Sequence, residues 1–494
     1  MISLKLLAAF IALLIVATGI YNTFKPLPAG LSRATSPGLL YDVALLTDVS
    51  WRHDNGEHRH AHQIFDEVFR LIGQAEQLVV VDMFLFNDTA PDDSFEPLSR
   101  KLADALIQRK QEVPDLMVQV ITDPINTVYG GIRQPDFERL RAAGIPVTET
   151  RLPALRDSNP FWSSIWRVCC QWFGNSTEGG WLPNALGEGK VPLRSYLALA
   201  NFKANHRKTL IVDEGDQLRG LITSANPHAG SSRHWNTALA FSGPAAADLL
   251  ETEIAVLAFS GADIPESLND LVARHATATN NPDTDSEEAR GSILTEAAIR
   301  DAALTMINNS AQGDQLDLAM FYLSHRDLVQ ALVRASRRGA AVRVLLDRNE
   351  DAFGHRKNGI PNRQVATELT HAGITVRWCN THGEQCHNKL LLRHSTGGDS
   401  ELLIGSANFT RRNLDDLNLE TDVLVTGPST RPPFTTTAAL FNRLWQVPSG
   451  DSTAGITDIP PTAEFSLPYE SSADTSRLRY WRYRFMEASG LSTF

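Results

Sequence analysis

The stretch HRKTLIVD spans residues 206–213, and HNKLLLRH spans 387–394. Both write His-x-Lys ahead of an apolar run, but the first ends in Asp213 and the second in His394. A short apolar run followed by a turn such as DEGD (213–216) reads as a strand. Side chains alternate faces along a strand, so His206 and Lys208 share one face about 7 Å apart. His387 and Lys389 do the same. Asp213 stands an odd number of positions from His206 and falls on the opposite face, at a turn where Asp favours local hydrogen bonding. The change to His394 is therefore expected to alter a strand end and to leave the chemistry alone.

The phrase is one of several that recur in the same order. VVVDMFLF (79–86) resembles LDLAMFYL (316–323), and LADALIQRK (102–110) is answered by LVQALVRAS (328–336). VQVITD (118–123) matches VRVLLD (342–347), and AGIPV (143–147) matches AGITV (372–376). After the His-x-Lys stretches come LITSAN (221–226) and LLIGSAN (402–408). Helix-patterned stretches alternate with strand-like ones, which implies an α/β layer with crossover connections. A repeat of this kind implies two α/β halves, at about 38–262 and 290–447, joined by a polar linker at 277–291. A tail at 448–494 ends in the aromatic, basic RLRYWRYRF (477–485), for which the sequence offers no function.

The halves differ in one place. Gly144 and His206 are 62 positions apart, Gly373 and His387 only 14, so the first half carries an insertion of about 48 residues at about 153–200. Trp162, Trp166, Trp172 and Trp181 lie close together within it. Such clustering suits a small aromatic core for the insertion itself, a membrane interface or the mouth of an acyl-chain site. At the other end of this half, residues 1–30 contain an uncharged run of about 16 residues after Lys5. It reads as an N-terminal membrane anchor, with a cleaved signal segment and a buried helix as the alternatives. Either of the first two delivers the body of the protein across a membrane, and a retained anchor keeps it there. In an oxidising compartment Cys379 and Cys386 can close a small loop beside His387; a zinc cluster with His382 and His387 is the alternative. His58, His60 and His62 look metal-like but read as a loop leading into a helix.

The chain has 494 residues, 43% of them apolar, enough for a large core. Its net charge of −11 argues against a nucleic-acid partner. Ser224 and Asn226 share a strand face, as do Ser406 and Asn408. If the halves pack about a pseudo-twofold axis, two imidazoles, two ammonium groups and two carboxamides meet at one seam. Lys208, Lys389, Asn226 and Asn408 can then hold a phosphodiester's oxygens as charge builds. One imidazole can attack phosphorus while the other moves the proton. No metal or other cofactor is needed for this chemistry.

The paired phrases HRKTLIVD…GLITSANPH and HNKLLLRH…LLIGSANFT resemble the doubled H-x-K-x-x-x-x-D and G-S-x-N signatures of the phospholipase D superfamily, and within it the bacterial cardiolipin synthases and related proteins. The resemblance covers about 400 residues. It implies a fold of two phospholipase D-like α/β domains with mixed sheets, packed as a pseudo-twofold internal dimer. It implies a phosphohistidine intermediate formed without metal, with His206, Lys208, Asn226, His387, Lys389 and Asn408 as the site. His206 is the expected nucleophile and His387 the acid. Asp213, Ser224, Asn236, Ser406 and Glu420 are expected in support. Members orient each histidine with a downstream carboxylate. Within each half this assigns Glu420 to His387 and Asn236 to His206, which favours a protonated His387. A membrane-bound phosphatidyltransferase acting on a glycerophospholipid follows, with a hydrolase or nuclease of the same superfamily and a non-catalytic lipid-binding module as alternatives. The oligomeric state is open.

Overall fold

A computed structural model describes the chain except residues 1, 53–56, 93, 277–287, 353–354, 357, 446–462, 471–475 and 492–494. Most of the expected linker therefore lies outside the described residues. Two mixed sheets carry the fold. In the first, three parallel strands, Leu78–Met83, Met117–Thr122 and Val147–Glu149, continue into an antiparallel run: Lys208–Glu214, Gln217–Thr223, Asn236–Ser242, Tyr41–Arg52 and the edge strand His58–Ala61. The second repeats the plan. Thr375–Cys379, Ala341–Leu346 and Gln315–Met320 are parallel, and Lys389–His394, Ser400–Gly405, Thr421–Gly427 and Arg290–Thr295 follow antiparallel.

The equivalence extends to register. Met83 stands opposite Lys208, and Met320 stands opposite Lys389. Alternation then sorts the apolar residues into layers. Leu210 and Val212 pack outward with Val79 and Val81 against Val68, Leu71, Leu102 and Leu106 of the covering helices. Leu391 does the same in the second half, with Leu332, Val365 and Leu369. The opposite faces of the two sheets join one continuous core: Val80, Ile211, Leu239 and Phe241 from the first, Leu390, Leu392, Ile404 and Val423 from the second. Burying such side chains contributes about 1.5–3 kcal/mol apiece.

Three elements depart from the sequence reading. Gly38–Leu39, expected in the first half, pairs with Arg290–Thr295 and extends the second sheet. Ser466–Pro468, expected in a free tail, covers the open edge of that sheet beside Thr375–Cys379. The stretch around His58, His60 and His62 is a strand and not a loop, because His58–Ala61 pairs with Val49–Arg52. Periodicity shows which residues prefer an extended chain, but an edge pairing depends on what the remote partner leaves open.

The N-terminal helix, Ile2–Phe24, contains a 21-residue stretch, Leu4–Phe24, long and apolar enough to cross a bilayer, with nearly all of its surface exposed. Its C-terminal end touches the body. Gly19 packs against Ser164 and the Pro160 carbonyl of the insertion helix Pro160–Cys169. Asp157 N–H donates to the Asn22 carbonyl, and Lys25 Nζ donates to the Pro153 carbonyl. The insertion is pinned by Asp157, whose buried carboxylate takes Arg167 at 2.8 Å and Lys203 at 2.5 Å. Its aromatic residues divide: Trp162 and Trp166 are half-buried, while Phe161, Trp172, Phe173 and Trp181 are exposed.

Candidate active site

The two histidines sit just before the strands that carry the lysines, where the halves are stitched together. His206 N–H donates to the Leu419 carbonyl at 2.9 Å, and Leu419 N–H donates to the Ala204 carbonyl at 3.0 Å. Symmetrically, Trp235 N–H donates to the Gln385 carbonyl at 2.9 Å, and His387 N–H donates to the Trp235 carbonyl at 2.8 Å. Each stitch brings a histidine alongside the residue after the opposing bridge: His206 beside Glu420, and His387 beside Asn236.

This overturns the expected pairing within each half. His206 Nδ1 lies 2.8 Å from Glu420 Oε1, and His387 Nδ1 lies 3.1 Å from Asn236 Oδ1. The orienting group comes from the opposite half because the two bridges, not the local chain, set the neighbours. Asn236 Nδ2 donates to the His234 carbonyl, which turns its Oδ1 toward His387. Both imidazoles therefore present an Nδ1–H to an acceptor and leave Nε2 for a ligand. Ser406 Oγ donates to Glu420 Oε2 at 2.5 Å, and Asn413 Nδ2 donates to Oε1. Ser224 Oγ donates to Asn236 Oδ1 at 3.0 Å. The two serines thus anchor the orienting residues.

Each ammonium caps the carbonyl of its own motif: Lys208 Nζ to His206 O at 2.6 Å, and Lys389 Nζ to His387 O at 3.0 Å. An ammonium has three protons, so each lysine retains donors beyond this bond. Phe84 lies 4.8 Å from the His206 ring and 5.2 Å below Lys208 Nζ. Phe321 stands 4.8 Å from His387 and 5.4 Å from Lys389. Asn226 Oδ1 accepts from Leu85 N–H at 3.2 Å, which leaves its amide N–H groups for a ligand. Asn408 is buried beside the second motif.

Electrostatically the surroundings of these groups disfavour charge. Burial, then the ammonium groups of Lys208 and Lys389, hold His206 well below its ordinary value. His387 is held low by burial, then by Lys389, His234, Lys208 and His206. The charges of each motif thus reach the histidine of the other half. Burial also draws Lys208 down to about 7 and Lys389 well down, and pushes Glu420 up to about 8. An anion among these groups reverses the trend for lysines and imidazoles alike.

Asp213 is remote from this chemistry. Its carboxylate accepts from the backbone N–H groups of Glu76, Gln77 and Leu78, clasping the turn that enters Leu78–Met83. The second half reverses the clasp. There Asp314, ahead of Gln315–Met320, accepts from Thr396 N–H just beyond His394. Sequence reading did not assign Phe84, Phe321, Asn413 or His234. The phenylalanines were findable, since MF occupies the same place in both copies of the repeat. Cys379 and Cys386 form a disulfide, which takes up both thiols of the zinc alternative, and Cys169 is joined to Cys170.

Residues 304–445 match the family model described as "Cardiolipin synthase, PLD-like domain". A search of curated protein sequences gives no match. Among solved structures, phosphatidylserine synthase from Haemophilus influenzae Rd KW20 has the same fold: TM-score 0.56 at 10% identity, over 92% of this chain and 96% of that one. A phospholipase D family member, Nuc from Salmonella typhimurium, aligns at 18% identity over 31% of this chain and 92% of its own, with a TM-score of 0.25. Residues 304–445 are thus similar to a phospholipase D-like domain, and the chain as a whole shares the fold of phosphatidylserine synthase.

Proposed function

We propose that this protein is a membrane-anchored phosphatidyltransferase that acts on glycerophospholipids in the manner of cardiolipin synthase. One observation carries the reading: each imidazole has its Nδ1 held by a residue of the opposite half, and each is followed two positions on by a lysine that caps the histidine's own carbonyl. His206 is the nucleophile because it alone faces a carboxylate. Glu420 stabilises the positive charge that a phosphorylated imidazole develops.

The reaction runs in two displacements. His206 Nε2 attacks phosphorus, the P–N bond forms, and the bond to the departing alcohol breaks. His387 Nε2 gives that oxygen a proton. The acceptor alcohol then returns a proton to His387 as its oxygen attacks phosphorus and breaks the P–N bond. His387 enters protonated because the bound phosphodiester anion offsets the burial and the lysines that hold it low. Lys208, Lys389, Asn226 and Asn408 bind the non-bridging oxygens, most strongly as charge accumulates on them. No step calls on a metal.

A lipid substrate is favoured by the Leu4–Phe24 helix and the exposed aromatic residues beside it. Two disulfides suit an oxidising compartment such as the periplasm. The test is incubation with labelled phosphatidylglycerol in mixed micelles. Cardiolipin with released glycerol supports the reading. Phosphatidic acid alone makes the protein a hydrolase, and binding without any product makes it a non-catalytic module.

A further inference from the structure

The C-terminal helix, Arg477–Ser489, has two different faces. One is fixed to the body. Tyr483 is fully buried in the second half's core, and its hydroxyl donates to the Ser324 carbonyl at 3.0 Å. Glu487 accepts from Ser324 Oγ at 2.6 Å, and Arg326 is bonded to the Tyr483 hydroxyl at 3.3 Å. The other face carries Leu478, Trp481 and Phe485 at the i, i+3, i+7 spacing of a single stripe. These side chains are 80%, 67% and 62% exposed. A helix already packed through one face has no packing reason to present three large apolar residues on the other.

Charge specifies the occupant. Arg477, Arg479 and Arg482 are exposed on the same helix, and its single acid, Glu487, is turned inward. This is a cationic segment on a chain of net charge −11. Apolar residues flanked by arginines are the pattern of a helix lying in a bilayer interface rich in anionic lipid.

Position adds a second argument. The helix ends at Gly490, whose φ of 72° lets the chain turn hard against the Ser158 carbonyl, where a Cβ has no room. Arg412 Nη2 donates to the Gly490 carbonyl at 3.1 Å. Ser158 leads directly into Pro160–Cys169, the helix that packs on the membrane-length N-terminal helix at Gly19. The C-terminal end of this helix therefore adjoins the segment leading into the helix on which the anchor packs.

We infer that Arg477–Ser489 is a second membrane contact, which lays Leu478, Trp481 and Phe485 into the surface of an anionic phospholipid bilayer. With the anchor it fixes the tilt of the body over the lipid. The inference rests on reading the N-terminal helix as an anchor and is independent of the chemistry assigned to the histidines.

The test uses the full chain in vesicles of phosphatidylethanolamine and phosphatidylglycerol. Nitroxide labels are placed singly by Trp481→Cys, Phe485→Cys and, in the anchor, Leu7→Cys. The expected result is that labels at 481 and 485 are relaxed more by oxygen than by a water-soluble nickel chelate. Combined Arg477→Gln, Arg479→Gln and Arg482→Gln, or replacement of the anionic lipid by phosphatidylcholine, abolishes that preference at 481. Quenching of Trp481 by brominated lipid, taken as the difference between the native chain and Trp481→Phe, gives the same answer without a label. Preferential relaxation by nickel at 481 and 485, with the label at 7 in the bilayer, overturns the inference while leaving the anchor intact. Dipolar coupling between 481 labels of two chains, unaffected by lipid, also overturns it by assigning the stripe to a second copy. A label at 7 outside the bilayer removes the anchor reading, and the labels at 481 and 485 still decide the helix.

Discussion

His206 Nδ1 and Glu420 Oε1 stand 2.8 Å apart although 214 positions separate the two residues in the chain. Asn236 answers this contact at His387 with a neutral amide. The two histidines are therefore unequal, and the inequality runs opposite to the one expected from pairing within each half.

That inequality sets a pH signature. In the proposed mechanism His206 must be neutral to attack, so its titration forms the acidic limb of the kcat profile, which reports the substrate-bound protein. His387 must be protonated, so its titration forms the basic limb. Glu420→Gln replaces a carboxyl that burial pushes up to about 8 with an amide that still accepts from His206 Nδ1, so any shift it causes falls on the acidic limb, with a fall in rate as the cationic phosphoimidazole loses its ionisable partner. Asn236→Asp adds a carboxylate to His387, raises its pKa and moves the basic limb to higher pH. Movement of the opposite limb in either variant contradicts the cross-half assignment.

Asp213 and Asp314 are expected to be stability residues. Asp213→His and Asp314→Ala each forfeit backbone hydrogen bonds at a strand entrance, a cost of about 1–3 kcal/mol. Thermal melts should show the loss while kcat stays within about threefold of the native value, a barrier change under 1 kcal/mol. His387→Ala should be nearly inactive with an unchanged melting temperature. Equal losses of activity in Asp213→His and His387→Ala contradict the face argument.

Phe84 lies against His206 and under Lys208. Phe84→Leu keeps an apolar side chain but loses the ring quadrupole, worth about 0.5–2 kcal/mol to a nearby cation. The expected effect is a fall in kcat of about 3- to 30-fold. Phe321→Leu should do the same through Lys389. Steady-state kinetics check both, and an effect confined to KM would show that the rings serve only to bind.

The Cys379–Cys386 disulfide closes the loop that delivers His387, and Cys386 N–H donates to Asp347 Oδ2 at 2.7 Å. Replacing both cysteines by serine should cost about 2–4 kcal/mol of stability. Dithiothreitol should lower the melting temperature of the native chain more than that of the double variant. Equal sensitivity would place the reducible bond elsewhere.

Both histidines and both lysines were legible because each pair is three residues of one strand entry, written twice. The α/β layers were legible for the same reason: Leu210, Val212 and Leu391 alternate with seam residues within single strands. The partners of the histidines were not. Glu420 reaches His206 only through the bridge of Asn205 to Leu419, a contact made when two folded halves meet. Gly38–Leu39 and Ser466–Pro468 were missed on similar grounds, since each fills an edge created by remote strands. Phe84 and Phe321 stood in plain view as a repeated pair, but a buried phenylalanine in a strand ordinarily signals core.

The most direct test of the central claim is to quench turnover of phosphatidylglycerol labelled at its phosphorus, isolate the protein and map the labelled residue. The expected result is an acid-labile phosphatidyl group on Nε2 of His206, accumulating in His387→Ala under prolonged incubation and absent from His206→Ala. Label on His387, or turnover with no covalent intermediate in either protein, would contradict it.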